Sequence, residues 1–268
     1  MRAIIASDLS EASLLTAETI VSCDPGTFEH VTLMHVVELD PYTAGGAIPQ
    51  VLEFAEEQLV EHAGRLNRQG VPADWRLDRG NAVEMITAAA EELGAGLIAI
   101  TDRGHGRALG RILGTTAEKV ALATTLPVLV ERVEERDAAW CRISAGPTFS
   151  RPLVAVDLDD ALQAIVRAAA ALPGAGAARV VHVATGTHDL EHAYGFIADE
   201  LAAAGLPDTE VAVLEGGDAA GALVDEAAVS GATCIVMAPR RHGVIERLFL
   251  GSVASSVLAR TTLPVVFV

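Results

Sequence analysis

The five residues Thr124-Thr125-Leu126-Pro127-Val128 recur 137 residues later as Thr261-Thr262-Leu263-Pro264-Val265. The same offset relates Gly80-Asn81-Ala82 to Gly217-Asp218-Ala219 and Gly114-Thr115 to Gly251-Ser252. Nearer the N-terminus the offset grows to 147 for His35 and His182, and to 149 for Asp8 and Asp157. Self-similarity over such a distance indicates that the repeated unit is a whole domain.

The domain boundary is predicted from composition. Residues 134–150 contain a charged run, Glu134-Glu135-Arg136-Asp137, followed by Ala145-Gly146-Pro147, which is typical of a linker. We therefore predict one domain over 1–133, a linker over 134–150 and a second domain over 151–268.

Both copies alternate short apolar runs with amphipathic stretches. The apolar runs cover 3–7, 31–37, 75–77 and 97–100 in the first copy and 153–156, 179–184, 211–214 and 234–237 in the second. Continuous apolar strands between helices indicate a parallel sheet that is covered on both faces. Each half is therefore predicted to be a doubly wound α/β domain with a five-stranded parallel sheet.

The composition excludes several classes of protein. The chain has 268 residues, of which 51% are hydrophobic, and a formal net charge of −17. Such hydrophobicity argues against disorder, and no apolar run approaches the roughly 18 to 20 residues of a membrane helix. The negative charge argues against sequence-independent binding to DNA or RNA. Since Asp8 and Glu11 interrupt any secretory signal, we expect a cytoplasmic protein with neither a nucleic-acid nor a membrane partner.

Catalytic and metal-binding motifs are sparse. Cys23, Cys141 and Cys234 have no CxxC spacing, so they predict neither a disulfide framework nor a zinc knuckle. We find no Ser-His-Asp order and no P-loop lysine. The sequence therefore names no enzyme.

The loops beyond the fourth predicted strand have the composition of an anion site. In open parallel sheets, ligands bind beyond the carboxyl ends of the strands, where the strand order reverses. The loops over 101–114 and 238–251 contain glycines, and each carries three arginines against one acidic residue. Glycine lets a backbone approach phosphate oxygens, and the N–H groups that open a helix favour an anion. The loops therefore suit a compact anion such as a nucleotide phosphate.

This arrangement resembles the universal stress protein family, whose nucleotide-binding members carry a glycine, two residues, a glycine, nine residues, and then a glycine with serine or threonine. The resemblance covers both halves nearly end to end. It implies two tandem flavodoxin-like, or Rossmann-like, domains of the adenine nucleotide alpha hydrolase type. It also implies ATP, ADP or AMP as the ligand, accompanied by Mg²⁺, with the adenine near the first strand and the phosphates over the loop.

The resemblance also assigns site residues in the first copy. Gly104, Gly114 and Thr115 match the motif, whereas Thr101 stands where the family has its first glycine. Asp8 matches an aspartate near the adenine and ribose. The other residues that the resemblance implies for this site are Ala6, Ser7, Val36, Arg103 and Thr116.

The second copy keeps only part of the pattern. The residues that match or adjoin it are Asp157, Val183, Gly251, Ser252 and Val253. Ala238 and Arg241 stand in place of the first two glycines. Arginine costs backbone freedom where a positive φ is needed, although its guanidinium suits a phosphate. We expect nucleotide binding in the first copy more than in the second.

Simpler interpretations exist for most of these residues. Thr115-Thr116-Ala117-Glu118 also fits a helix capping box, and Asp8 and Asp157 could cap the first helices. The loop arginines could be solvated charges. His35 and His182, at equivalent positions in apolar strands, are predicted to be structural. The run from His188 to His192 fits the H-x-x-E-H zinc pattern, but it has no equivalent in the first copy, and chance explains it better.

Three functions are compatible with these motifs. The first is a tandem, adenine-nucleotide-binding sensor or regulator of the stress response. The second is a family member that binds no nucleotide and acts as an interaction module, and the third is a slow ATP hydrolase in which Asp8 or Asp102 holds Mg²⁺. In single-domain relatives the last strands pair between subunits. Residues 126–130 and 263–267 would therefore pair within this chain as a pseudo-dimer, which could dimerise further.

Overall fold

The computed structural model describes residues 1–24, 26–38, 48–102, 115–137, 139–144, 146–158, 162–184, 190–239 and 250–268. The chain divides into two units, Met1–Ile143 (unit 1) and Ser144–Val268 (unit 2). Each unit contains a parallel sheet with helices between its strands, so the predicted α/β class is confirmed.

Unit 1 alternates strands and helices along the chain. Its elements are β1 (Arg2–Ala6), α1 (Glu11–Cys23), β2 (His30–Val37), α2 (Ile48–Arg68), β3 (Ala73–Arg79), α3 (Ala82–Glu92), β4 (Leu97–Thr101), α4 (Thr115–Ala123), β5 (Val128–Glu131), β6 (Val133–Arg136) and β7 (Ala139–Arg142). The parallel strands lie in the order β3-β2-β1-β4-β5. The order therefore reverses between β1 and β4.

The helices of unit 1 form two pairs. Helix α1 packs beside α2, and α3 packs beside α4, as expected for a doubly wound sheet that is covered on both faces. Strands β4 and β5 are buried along their whole length, whereas β3 is partly exposed. The continuous apolar run of β4 is the sequence signature of this burial.

Unit 2 repeats this plan. Its elements are β8 (Pro152–Val156), α5 (Leu162–Ala170), a short 3₁₀ helix (Ala175–Ala177), β9 (Arg179–Ala184), α6 (Leu190–Ala203), β10 (Glu210–Glu215), α7 (Ala219–Ser230), β11 (Cys234–Met237), α8 (Ser252–Arg260) and β12 (Val265–Phe267). The strand order is β10-β9-β8-β11-β12, the counterpart of that in unit 1.

Strand register confirms which residues of the two units are equivalent. Ile4 pairs with Ile98 in unit 1, and Leu153 pairs with Ile235 in unit 2. These pairs are related by the offsets of 149 and 137 found in the sequence. The units therefore share the same register as well as the same strand order.

The repeated Thr-Thr-Leu-Pro-Val segment performs the same task in both units. The Thr124 hydroxyl accepts a hydrogen bond from the Leu126 backbone N–H (3.1 Å), and Thr261 accepts one from Leu263 (3.0 Å). The Pro127 carbonyl then accepts from the Ile98 N–H and so begins the pairing of the last strand. Proline is tolerated because it precedes the strand, where its missing N–H costs nothing.

Part of the predicted linker is regular structure. Strands β6 and β7 form an antiparallel hairpin that packs against α1, and Asp137 turns the chain with a φ of 51°. The hairpin belongs to unit 1, which ends at Ile143.

Within the residues given above, no helix combines the length and the apolarity that a membrane span requires.

Candidate functional site

The candidate site of unit 1 lies where the strand order reverses. β1 ends at Ala6, and Asp8 follows two residues later, while the neighbouring strand β4 ends at Thr101. The carboxyl ends of β1 and β4 thus lie side by side at the point where doubly wound sheets bind their ligands. The sequence prediction placed Asp8 and Thr101 at this edge, and the structure places both there.

Asp8 is held by the turn that leads into α1. Its Oδ1 accepts hydrogen bonds from the Ser10 backbone N–H (3.1 Å) and from the Ser10 hydroxyl (2.5 Å). Ser10, and not Asp8, is the N-cap of α1, since its hydroxyl oxygen accepts from the Ser13 N–H. The interpretation of Asp8 as a helix cap is therefore wrong. The orientation of its carboxylate is fixed by the two hydrogen bonds from Ser10.

Ser7 and Ser13 also stabilise the turn between β1 and α1. The hydroxyl of Ser7 accepts from the Leu9 N–H (3.0 Å) and lies 2.8 Å from the hydroxyl of Ser13. Ser13 Oγ lies 3.0 Å from the Ser10 carbonyl oxygen. Every atom is satisfied when Ser7 donates to Ser13 and Ser13 donates to that carbonyl. We call Ser7, Ser10 and Ser13 the serine network.

The serine network surrounds a strained residue. Leu9 has a φ of 63°, in the left-handed region that costs a residue with a side chain roughly 1–2 kcal/mol. Among the described residues, the only other non-glycine residue with a positive φ is Asp137 in the hairpin turn. The hydrogen bonds of the Leu9 and Ser10 N–H groups hold this conformation in place.

The two equivalent histidines are structural, as predicted. His35 Nδ1 donates to the Ser7 carbonyl oxygen (2.8 Å), and His182 Nδ1 donates to the Val156 carbonyl oxygen (3.0 Å). In both units the imidazole therefore fastens the second strand to the residue that precedes the strand-end aspartate.

Thr101, which stands in place of the first glycine, turns its hydroxyl toward α1. The residue is buried, and its Oγ1 forms a hydrogen bond with Thr16 Oγ1. Thr16 also donates to the Ala12 carbonyl oxygen. The hydroxyl of Thr101 thus joins the end of β4 to α1.

Asp102 is bound to the start of the β6–β7 hairpin. Its side chain is 2% exposed, Oδ1 accepts from the Val133 N–H (3.3 Å), and Oδ2 lies 3.5 Å from Arg132 Nε. The interpretation in which Asp102 holds Mg²⁺ for hydrolysis is therefore disfavoured, because the carboxylate is buried and engaged.

A second buried ion pair lies beside Asp102. Glu131 is fully buried, and its Oε1 lies 3.1 Å from Arg142 Nε on β7. Burial raises the pKa of Glu131, and Arg142 opposes that shift without reversing it. The pair fastens the hairpin to the end of β5.

Helices begin at the predicted phosphate positions. α4 begins at Thr115 and α8 at Ser252. Gly251 precedes α8 with φ 87° and ψ 157°, a conformation that is essentially confined to glycine. By the repeat, Thr115 stands at the first helical position rather than at the cap, so the capping box does not explain it. Its backbone N–H belongs to the group that favours an anion.

The edge of unit 2 differs from that of unit 1. Asp157 is exposed, and its Oδ1 accepts from the adjacent Leu158 N–H (3.0 Å). Ala238 and the buried Pro239 stand where unit 1 has Thr101 and Asp102.

The remaining predicted residues divide into two groups. Ala6 is buried, and Val36, Thr116, Val183 and Val253 are half-buried near the same edges. Outside the described residues lie Arg103, Gly104, Gly114, Arg241 and His188. The site assignments of Arg103, Gly104, Gly114 and Arg241 stay predictions, and His188 only begins the zinc pattern that chance explains better.

Ser10, Ser13 and the left-handed Leu9 were missed from the sequence. The pattern Asp8-x-Ser10-x-x-Ser13 was visible, and comparison with the second copy would have singled it out, because the second copy lacks both serines. No sequence pattern predicts a positive φ for a leucine.

Taken together, these features define a tandem α/β protein in which an aspartate follows the first strand of each unit, at the point where the strand order reverses. The sequence model of the universal stress protein family matches residues 1–132 and 148–268. The chain belongs to that family.

Solved structures give the same fold. A universal stress protein from Archaeoglobus fulgidus DSM 4304 superposes with a TM-score of 0.72 at 24% identity, covering 99% of this chain and 95% of its own. A putative universal stress protein from Pseudomonas aeruginosa UCBPP-PA14 gives 0.61 at 17% identity, covering 100% and 92%. No curated protein matches this chain.

Proposed function

We propose that this protein is an adenine-nucleotide-binding sensor or regulator of the stress response, acting in the cytoplasm. The observation that carries the proposal is the fixed, half-buried carboxylate of Asp8 at the switch point of unit 1, in a chain that belongs to the universal stress protein family. A carboxylate in this position can accept hydrogen bonds from the hydroxyl groups of a ribose.

The described residues fit an adenine nucleotide. Val36 is apolar and half-buried near the end of β2, the strand that pairs with β1, and it suits the adenine. The start of α4 at Thr115 offers backbone N–H groups to a phosphate. Mg²⁺ would enter with ATP on its phosphates, since the Asp102 carboxylate is engaged by Arg132 and Val133.

The test is calorimetric titration of the full chain with ATP and with AMP. Asp8→Asn keeps the shape of the side chain and removes its charge. Because a hydrogen bond to a charged group contributes about 1.5–3 kcal/mol, we expect affinity to fall by about ten- to a hundredfold. Asp157→Asn, the same change at the exposed aspartate of unit 2, is the matched control. No heat at millimolar nucleotide would remove the proposal.

The interaction module is the alternative function that the departures from the family motif support. Thr101 fills the position of the first motif glycine, and Ala238 and Pro239 occupy the corresponding strand end of unit 2. Protein that purifies without nucleotide and whose thermal unfolding does not respond to ATP would support the module. Mass spectrometry of any small molecule that copurifies distinguishes the two functions directly.

The pseudo-dimer of the two halves, and a further homodimer, stay predictions of the family resemblance. Light scattering on the eluting peak of a sizing column measures whether the chain is monomeric or dimeric, with and without ATP.

A further inference from the structure

Four buried hydroxyl residues of unit 1 have apolar counterparts in unit 2, whereas Ser10 corresponds to Asp159. The positions equivalent by offset and register are Ser7 and Val156, Ser13 and Leu162, Thr16 and Ile165, and Thr101 and Ala238. All four hydroxyl residues of unit 1 are buried, as are Val156, Leu162 and Ile165. The two units thus place different chemistry on the same backbone.

The fold itself does not require these hydroxyls. Unit 2 forms the same sheet in the same order with apolar side chains in their places. Burying an apolar group is favourable, whereas a buried hydroxyl only recovers the hydrogen bonds that it loses to water. The hydroxyls of unit 1 are therefore not needed to form the sheet.

The serine network fixes the conformation of Asp8 and Leu9. The positive φ of Leu9 is unfavourable, and strained residues persist where the surrounding structure holds them, often at binding sites. The equivalent Leu158 is not among the described residues with a positive φ, and its N–H donates to Asp157 Oδ1, whereas the Leu9 N–H donates to the Ser7 hydroxyl. The network and the strained turn therefore occur together in unit 1, and neither occurs at the described positions of unit 2.

We propose that Ser7, Ser10 and Ser13 are positioning residues that aim the Asp8 carboxylate at the ribose hydroxyls of a nucleotide, and that unit 2, which lacks them, has lost this contact. The inference rests on the proposed function. It adds that one nucleotide binds per chain, in unit 1, and that the specificity for a ribose over a sugar without hydroxyls depends on the serines.

The experiment compares the affinities of the full chain for ATP and for 2′,3′-dideoxy-ATP. We expect wild type to bind one ATP per chain, with a lower Kd for ATP than for 2′,3′-dideoxy-ATP. Ser13→Ala raises the Kd for ATP about tenfold, equivalent to about 1.4 kcal/mol, and changes the Kd for the dideoxy nucleotide less than about twofold. Asp8→Asn has the same selective effect, and Asp8→Asn combined with Ser13→Ala loses no further preference, because both changes act through one carboxylate.

Thr16→Val is the matched control. It removes a buried hydroxyl from the same helix, but this hydroxyl bonds to Ala12 and Thr101 and not to the serine network. The preference for ATP stays unchanged in this variant, and thermal unfolding verifies that each variant is folded. If Ser13→Ala does not fold, Ser10→Ala removes the hydroxyl that contacts Asp8 directly and gives the same measurement.

Three results separate the possible failures. If wild type binds no ATP, the proposed function fails and the inference fails with it. If ATP binds and the preference survives in Ser13→Ala and Ser10→Ala, only the positioning role is overturned. Two ATP per chain, with one lost in Asp157→Asn, would overturn the assignment to unit 1 alone.

Discussion

Replacing His62 with isoleucine should stabilise unit 1 and reduce its sensitivity to acid. His62 lies on α2 beside α1, is 7% exposed, and places Nδ1 3.6 Å from Glu18 Oε1 without forming a hydrogen bond. The chain turns after α2 at Gly70 and after α6 at Gly205. His62 and Ile197 each lie eight residues before that glycine, so the equivalent of His62 in unit 2 is the fully buried Ile197. Unit 2 therefore shows that the fold accepts isoleucine at this position.

The magnitude follows from the unsatisfied nitrogen. A buried polar atom without a partner costs roughly 1–3 kcal/mol, and the isoleucine removes that cost while it buries apolar surface. After allowance for imperfect packing, we expect His62→Ile to raise the free energy of unfolding by about 1–2 kcal/mol at pH 7.5.

The pH dependence follows from the same burial. Burial lowers the pKa of His62, Arg65 lowers it further, and Glu18 and Glu61 oppose the shift without reversing it. As the pH falls below 6.5, His62 takes up a proton in the unfolded chain before it does so in the folded protein. Wild type therefore loses stability with falling pH, until the pH passes below the lowered pKa of His62 in the folded protein. One proton contributes at most about 1.4 kcal/mol per pH unit. The advantage of His62→Ile should therefore grow between pH 7.5 and pH 5.5.

The assay is urea unfolding followed by tryptophan fluorescence. Both tryptophans of the chain, Trp75 and Trp140, lie in unit 1, so the signal reports on the unit that carries the change. The reverse change, Ile197→His in unit 2, should destabilise the protein and add acid sensitivity that circular dichroism detects. An advantage of His62→Ile that is absent at pH 7.5, or equal at the two pH values, would refute the reasoning.

Two further predictions concern stability. Gly174→Ala should destabilise unit 2 by several kcal/mol in thermal unfolding, because φ is 74° and a Cβ would lie 1.6 Å from the Phe149 carbonyl oxygen. Gly176 has open space around it, so the control Gly176→Ala should change the free energy of unfolding by less than about 1 kcal/mol. Arg142→Met should cost about 3–5 kcal/mol in urea unfolding because it leaves Glu131 buried without its cation, and adding Glu131→Val should recover most of the loss. Equal effects of the two glycine changes, or no recovery in the double variant, would contradict these accounts.

The strands could be predicted well from the sequence because buried parallel strands consist of continuous apolar runs. The predicted runs 179–184 and 234–237 are the observed β9 and β11, and the helix expected from Val83 to Leu93 is observed over Ala82–Glu92. Periodicity was less informative about which helical turns are covered. Val51 and Phe54 follow the apolar pattern of α2, yet they are 48% and 59% exposed, because the buried residues of that helix begin at Ala55.

Contacts between distant residues limited the prediction of the site. The aspartate at the end of β1 could be found because it directly follows an apolar run. Glu131 and Arg142, however, lie on different strands, and their charges resemble those of an exposed linker until the hairpin forms. The burial of Asp102 depends on the same hairpin, which is why its role as a metal ligand could not be excluded from the sequence.

The β6–β7 hairpin also decides where the chain can be divided for separate expression of its halves. The family match of the first half ends at residue 132, which suggests a truncation at that point. Such a fragment would lack Arg142 and the Val133 N–H, and would leave two carboxylates, Glu131 and Asp102, without these partners in the interior. A fragment that ends at Ile143 keeps both contacts. Expression of the first half should therefore include residues 133–143, although they lie beyond the matched family domain.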